Sequence, residues 1–166
     1  QTPSGKGLSA FYVQPEIQVK LNPKTKFFLG AELFSGDDAT KPSSTSHSFD
    51  ALYGVNHRFW GTMDYFIRFP KDFNNAGIID PYLFIFYDIT PKLTIRSDAH
   101  LFYSQNHFLV NNNVINKYLA FEHDLLLIFR PNAYTKLDLG FSWLKAEKSM
   151  EYIKQGGNTE KIAQWA

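Results

Sequence analysis

The chain has 166 residues, 17 basic and 16 acidic side chains, a formal net charge of +1 and no cysteine. This balanced charge argues against a nucleic-acid partner, which needs a concentrated excess of Lys and Arg. The lack of cysteine excludes a disulfide framework and thiolate metal sites. No run of about 18 apolar residues occurs, so no transmembrane helix is expected. The length predicts a single domain, residues 1–166.

The first predicted element is a hairpin over residues 8–35 with a period of two. From Phe11 to Leu21 the odd-numbered positions are apolar and the even-numbered ones except Tyr12 are polar. After the break at 22–25, the odd-numbered positions are apolar again from Phe27 to Leu33. A tight turn centred near Lys24 would put all the apolar side chains on one face. It would also set Glu16 opposite Glu32. The pattern therefore predicts a sheet with one apolar and one polar face.

Four further strands with the same parity follow along the chain. The predicted strands are 8–21, 26–35, 78–89, 93–103, 118–129 and 135–144. Short turns alternate with the long loops 36–77, 104–117 and 145–163, so every long loop lies at the same rim of an up-and-down sheet. This asymmetry and strands of about 9–11 residues are typical of outer-membrane barrels. The sequence predicts an all-β fold of antiparallel up-and-down strands that form part of a transmembrane outer-membrane β-barrel.

Aromatic residues recur near both ends of these strands, as in the girdles of membrane barrels. The candidates are Phe27, Tyr87 and Phe129 at the end with the tight turns, and Phe11, Tyr103 and Trp143 at the end with the long loops. Aromatic residues also favour strands in general. One residue fits poorly, because His123 falls on the apolar side; a bulge at 122–124 would correct its parity.

Three segments resemble a known family. Ser35-Gly36-Asp37-Asp38, the block from Phe49 to His57 and Gly61-Thr62-Met63-Asp64-Tyr65-Phe66 are similar to the alginate-export-like outer-membrane β-barrels of Bacteroidota. Residues 150–154 and 165–166 resemble that family's last loop and the start of its closing strand. The resemblance implies a Gram-negative outer-membrane location, the C-terminal part of a larger barrel, and an exporter or porin function. The family's closing aromatic strand has no counterpart here.

Six strands are too few to close a membrane barrel, for which about eight is the smallest bacterial case. We therefore expect a partial barrel, or one that another polypeptide completes. The alternative is that two more strands lie within residues 49–69.

The even-numbered face would line the lumen if the apolar face meets lipid. Its predicted lining residues are Glu16, Glu32, Arg96, Asp98, His100, Glu122, Asp124 and Asp138. Acidic side chains outnumber basic ones on this face, and a conduit for a polyanion should show the opposite balance. A simpler interpretation is an internal network of ion pairs that keeps the wall rigid.

The loop from Phe49 to Phe66 is too apolar to extend into water. It would fold into the lumen as a constriction, with His57, Arg58 and Asp64 facing the passage. Alternatively it would pack on a partner subunit, with Phe59 and Trp60 buried against the other chain.

No catalytic or metal site is predicted. There is no Gly-x-Ser-x-Gly nucleophile elbow, and the five histidines show no His-x-x-x-His spacing, so neither an enzyme nor a cofactor is expected. Asp37-Asp38 could hold Ca²⁺, although a polar turn explains the pair equally well.

Three functions remain open. The chain could form an outer-membrane channel that passes small hydrophilic solutes or exports a polysaccharide. It could be a structural or interaction subunit of an outer-membrane protein complex. It could also be a soluble β-barrel that binds lipid, with its odd-numbered face turned inward. Membrane lipid, small solutes and other outer-membrane subunits are the expected partners.

Overall fold

The computed structural model describes residues 5–51 and 60–155, and these fold as an antiparallel β structure. Its strands are β1 (Gly7–Leu8), β2 (Tyr12–Val13), β3 (Glu16–Lys20), β4 (Thr25–Phe34), β5 (Thr45–Ser46), β6 (Ile78–Thr90), β7 (Leu93–Ser104), β8 (Leu109–Val110), β9 (Asn113–Val114), β10 (Tyr118–Asn132) and β11 (Thr135–Ala146). One helix, α1 (Lys148–Gln155), follows the last strand. No helix in the described part of the chain is long and apolar enough to cross a bilayer.

The main sheet has seven strands in the order β11-β10-β7-β6-β4-β2, with β3 also paired to β4. Successive strands are antiparallel neighbours, so the all-β, up-and-down prediction is confirmed. The predicted strand 8–21 is divided into β2 and β3, with Pro15 between them on the edge of the sheet. The Pro15 carbonyl accepts the Ala31 amide at 3.1 Å, but proline has no N–H to return the second bond of this pair, so one ladder bond is missing between β2 and β3. In residues 49–51 and 60–69 no strand forms.

Two predicted details of register are wrong. Glu16 lies opposite Gly30, not Glu32, because the Asn22 side chain accepts the amides of residues 24 and 25 at 2.9 Å. This Asx turn closes the hairpin one position earlier than predicted. The predicted bulge at 122–124 is also absent from the ladder there, and the register shift falls between Tyr118 and Ala120.

The two faces of the sheet differ sharply in chemistry. The odd-numbered face is open and apolar, and its exposed side chains include Ile17, Leu29, Ile85, Leu101, Leu125, Leu137, Leu139, Phe141 and Trp143. Leu139 is 73% exposed. The even-numbered face is covered in part, and its buried side chains include Glu32, Asp80, Tyr82, Asp98, His100, Glu122 and Asp124. Buried carboxyl groups in this number are unusual, because charged side chains are almost never fully buried unless they are paired.

Residues 60–77, which we call the inner loop, cover the even-numbered face at the end with the long connections. Their aromatic side chains pack with those of the strands and of residues 108–119 into one core. Trp60 is at its centre, with ring centroids 4.6 Å from Phe34, 4.9 Å from Phe69 and 5.1 Å from Phe73. The inner loop contains a short 3₁₀ helix, Lys71–Phe73. Met150 of α1 closes the same core.

Candidate acidic site on the covered face

Four buried carboxyl groups and one imidazole lie side by side at the centre of the even-numbered face. We call Asp80, Asp98, His100, Glu122 and Asp124 the acidic cluster. Strand β6 supplies the first, β7 the next two and β10 the last two. Cross-strand pairing sets His100 opposite Glu122 and Asp98 opposite Asp124. The meander brings together groups that are more than 40 residues apart in sequence.

His100 is held by a carboxyl group and by aromatic rings. Its Nδ1 is 2.8 Å from Oδ2 of Asp80, a side chain that is 0% exposed. The imidazole stacks on Phe102 at 5.8 Å between centroids and tilts against Phe84 at 5.4 Å. When Nδ1 donates to Asp80, the lone pair of Nε2 is free to accept or to bind a cation.

Arg96 is the permanent base that contacts the acidic cluster. Its Nε donates to Oδ1 of Asp98 at 2.8 Å, and its Nη2 to Oδ2 at 2.5 Å. This is the bidentate geometry that makes Arg–carboxylate pairs strong. The guanidinium also lies over the rings of Phe84 and Phe86, at 5.0 and 5.2 Å from their centroids. Among the described residues, four carboxyl groups thus share one permanently charged base.

Glu122 fastens the inner loop to the sheet. Its Oε1 accepts the backbone amides of Thr62 at 2.7 Å and Met63 at 2.9 Å, and Asp124 Oδ2 lies 3.3 Å from the same Thr62 amide. Gly61 has φ +80°, and a Cβ there would lie 2.3 Å from Glu122 Oε1. The close approach therefore requires glycine, both for the space and for the backbone conformation.

A second polar chain crosses from the cluster to the edge of the sheet. The Tyr82 hydroxyl donates to Glu16 Oε2 at 2.8 Å and accepts from Gln14 Nε2 at 3.1 Å. Gly30, between the strands of Glu16 and Tyr82, makes room for this hydroxyl, because a Cβ there would lie 2.5 Å from it. The Tyr82 ring stacks on Phe84 at 4.4 Å.

A cavity of about 190 Å³ lies between the acidic cluster and the inner loop. Its lining includes Asp80, Asp98, His100 and Asp124 from the sheet and Gly61 from the loop. Several carboxylate oxygens beside it are buried without a hydrogen-bond partner in the described residues, namely Asp80 Oδ1, Glu122 Oε2 and Asp124 Oδ1. A buried unpaired oxygen is costly, so this cavity suits a cation or ordered water.

A larger cavity of about 740 Å³ lies under the first long loop. Asp38 on its wall accepts the hydroxyl and the amide of Thr40 at 2.6 and 2.9 Å, and these bonds lower its pKa. Asp37 accepts from the Ser46 hydroxyl and the His47 amide. Asp38 is thus engaged in a local turn, which agrees with the polar-turn interpretation, whereas the partners of Asp37 lie nine and ten residues further along the chain.

Six of the eight predicted lining residues share the covered face around the cluster. They are Glu32, Arg96, Asp98, His100, Glu122 and Asp124. Glu16 is exposed and reaches the others through Tyr82. Asp138 is also exposed, on the outermost strand β11, where it pairs with Lys136 and not with the cluster. Asp80 is even-numbered and lies on this face too, but sequence reasoning missed its pairing with His100 and the part played by Tyr82.

The predictions for the loop from Phe49 to Phe66 had mixed outcomes. His57, Arg58 and Phe59 lie outside the described residues. Asp64 lies in the loop with φ +57° and is half-buried. The prediction that Trp60 packs on a partner chain is wrong, because Trp60 is 2% exposed inside the core of its own chain. Nearby, burial and then the charge of Glu122 raise the pKa of the Tyr65 phenol.

No family model matches the chain, and no similar curated protein or solved structure was found.

Proposed function

We propose that the chain forms part of the wall of an outer-membrane β-barrel that acts as a passive channel for small hydrophilic solutes. The observation that carries this proposal is the inverted polarity of the sheet. Aliphatic and aromatic side chains are exposed or half-buried along the odd-numbered face, while carboxyl groups are buried on the other. An apolar surface of this extent needs a partner, and hydrocarbon is the partner that alternating strands of membrane barrels meet.

The distribution of aromatic side chains supports the same interpretation. On β10, Phe121 and Phe129 are eight positions apart, which is about 26 Å along a strand and roughly 20 Å across a membrane at the tilt of a barrel. Trp143 packs beside Phe121 at 5.2 Å between centroids. Tyr87 is exposed at the tight-turn end. Two aromatic bands with aliphatic side chains between them match the interfaces of an outer membrane.

The lipid-binding alternative is less favoured. It requires the odd-numbered side chains to enclose an apolar ligand, whereas they point away from the covered side of the sheet. The covered side holds the acidic cluster, which offers no apolar surface to a lipid tail. A lipid ligand would find apolar side chains to contact only on the exposed, odd-numbered face.

The lining also favours one class of solute. Carboxyl groups outnumber Arg and Lys around the central cavity, and rings of acidic side chains select cations. We therefore propose neutral and cationic solutes as cargo, and not a polyanionic polysaccharide. The resemblance to the alginate-export-like family would then concern the architecture of the barrel and not its cargo.

Ion selectivity of the full-length protein in planar lipid bilayers tests this proposal. We expect a reversal potential that indicates cation preference under a KCl gradient, and a weaker preference in Asp98→Asn, which leaves Arg96 without its carboxylate. Asp50→Asn, an exposed position in the first long loop, is the matched control and should behave as the wild type. Anion preference, or no conductance in protein that has inserted, would contradict the channel.

The aromatic core favours a second candidate, a structural subunit of an outer-membrane complex. Trp60, Phe66 and Phe73 fill the covered face at the long-loop end with almost no exposed surface, which would leave little passage. In that case we expect no conductance in planar bilayers, and other subunits that co-purify after mild detergent extraction.

A further inference from the structure

We propose that Asp98, His100 and Asp124 form a binding site for one divalent transition-metal ion, of which Zn²⁺ fits the donor set, and that Asp80 orients His100 for it. One ligand atom from each of the three residues lies within 4.8 Å of the other two, and all three side chains are buried. The inference concerns the covered face alone, so it does not depend on the channel or on the membrane.

The arrangement of His100 is that of a metal ligand. Metal-bound imidazoles almost always donate their second ring N–H to a carboxylate, which fixes the tautomer and makes the other nitrogen a stronger ligand. Asp80 supplies such a carboxylate at 2.8 Å from Nδ1, fully buried. The other oxygen of this carboxyl group, Oδ1 of Asp80, is buried without a hydrogen-bond partner in the described residues.

The burial of Asp124 supports a cation site independently. Its side chain is 2% exposed and lines the 190 Å³ cavity, yet Oδ1 has no hydrogen-bond partner in the described part of the chain. A cation in the cavity would satisfy this oxygen. It would also balance the excess of carboxyl groups, which Arg96 offsets by only one charge.

The three ligand atoms must move slightly closer together to bind one metal ion. Zinc ligands lie about 2.0–2.2 Å from the metal and so stand roughly 3.5 Å from one another. Rotation of the two carboxylates would bring them this close. Arg96 occupies both oxygens of Asp98, but a carboxylate has about four lone-pair sites and can serve a metal as well. The imidazole nitrogen favours Zn²⁺ or a similar ion over Ca²⁺ and Mg²⁺, which prefer oxygen ligands only.

Metal titration of the full-length protein in detergent, after treatment with a chelator, tests the site. We expect one equivalent of Zn²⁺ per chain, measured by competition with a zinc-binding dye, in the presence of excess Mg²⁺. His100→Ala and Asp124→Asn should weaken binding by about 100-fold or more, and Asp80→Asn by about 10-fold, as an orienting residue does. Asp88→Asn, which removes a carboxylate near the tight turn of the same strand as Asp80, should bind Zn²⁺ as the wild type does.

A spectroscopic measurement on the wild type keeps the test independent of variant folding. With Co²⁺ in place of Zn²⁺, we expect visible d–d bands, and X-ray absorption of the zinc form should show imidazole and oxygen ligands. Binding of Ca²⁺ but not Zn²⁺, a zinc spectrum with oxygen ligands alone, or unchanged affinity in folded His100→Ala protein would each overturn the site.

Discussion

Gly61 allows the inner loop to approach Glu122 more closely than a residue with a side chain could. Gly61→Ala would place a methyl group 2.3 Å from Oε1 of Glu122, at a backbone φ of +80°. The carboxylate would have to withdraw from the amides of Thr62 and Met63. We expect a loss of about 2–4 kcal/mol in the free energy of unfolding, from backbone strain and lost charge-assisted hydrogen bonds.

Denaturant unfolding in detergent measures this loss. Gly5→Ala is the matched control, because Gly5 also has positive φ, +77°, but has nothing within 4 Å of the added Cβ. Equal losses in both variants would mean that strain alone acts and that Glu122 does not fasten the inner loop.

Gly30 has a similar role for Tyr82. In Gly30→Ala the new Cβ would lie 2.5 Å from the Tyr82 hydroxyl and 2.8 Å from the Pro15 carbonyl oxygen, which is backbone and cannot move aside. We expect a destabilisation of about 1–3 kcal/mol from overpacking, read from thermal unfolding. Gly140→Ala meets the flexible Leu126 side chain at 3.0 Å and the Leu125 carbonyl oxygen at 3.7 Å, an ordinary van der Waals distance, and should cost clearly less. If the two variants unfold alike, the contact between Tyr82 and the hairpin is not tight.

At the scale of one strand, neighbouring residues of β10 test which face meets lipid. Leu125 lies on the exposed apolar face, and Leu126 lies opposite Arg96 on the covered face. Leu125→Glu should destabilise the inserted protein by on the order of 2 kcal/mol, because its charge enters hydrocarbon. Leu126→Glu should cost less, since Arg96 is across the ladder.

The measurement is denaturant unfolding of the full-length protein in lipid vesicles. If Leu125→Glu is harmless and improves solubility without detergent, that face meets water and the membrane proposal fails.

Sequence parity predicts where the strands lie but not how they are aligned with one another, and the reason is physical. Alternation is a local property, so it located five long strands to within a few residues, and the sixth predicted strand is divided into short pieces. It also placed six of the eight predicted lining residues on one covered face. Register depends on turn chemistry, and the Asn22 side chain shifted it by enough to separate Glu16 from Glu32. Parity put Asp80 on the same face as His100, but their contact also needs the register of β6 against β7.

The packing partners of the inner loop could not be predicted from the sequence, for a different reason. Its apolar residues indicated burial, but nothing local specified what they would pack against. The Trp60 ring meets Phe34 and Phe73 through contacts between distant segments. The candidate metal site was missed for the same reason, because its ligands come from two strands and form no spacing motif.

The main sheet has an unpaired edge at each end in the described residues. In the described residues β11 pairs with β10 alone, and β2 and β3 pair with β4 alone. A bilayer leaves no water for unpaired backbone groups, so a spanning sheet must close. If the sheet spans the membrane, further strands must pair with both edges, either from the same protein or from another polypeptide.

Hydrogen exchange of the full-length protein in detergent micelles tests this closure. In an isolated edge strand, alternate amides of Thr135–Ala146 point away from β10 and would exchange within seconds, whereas closure would protect both sets. We therefore expect β11 to be protected as strongly as β10, the interior strand beside it, which serves as the internal standard. Fast exchange of every second amide in β11 would show an open edge. The sheet would then not be the wall of a closed barrel, and its apolar face would need a different partner.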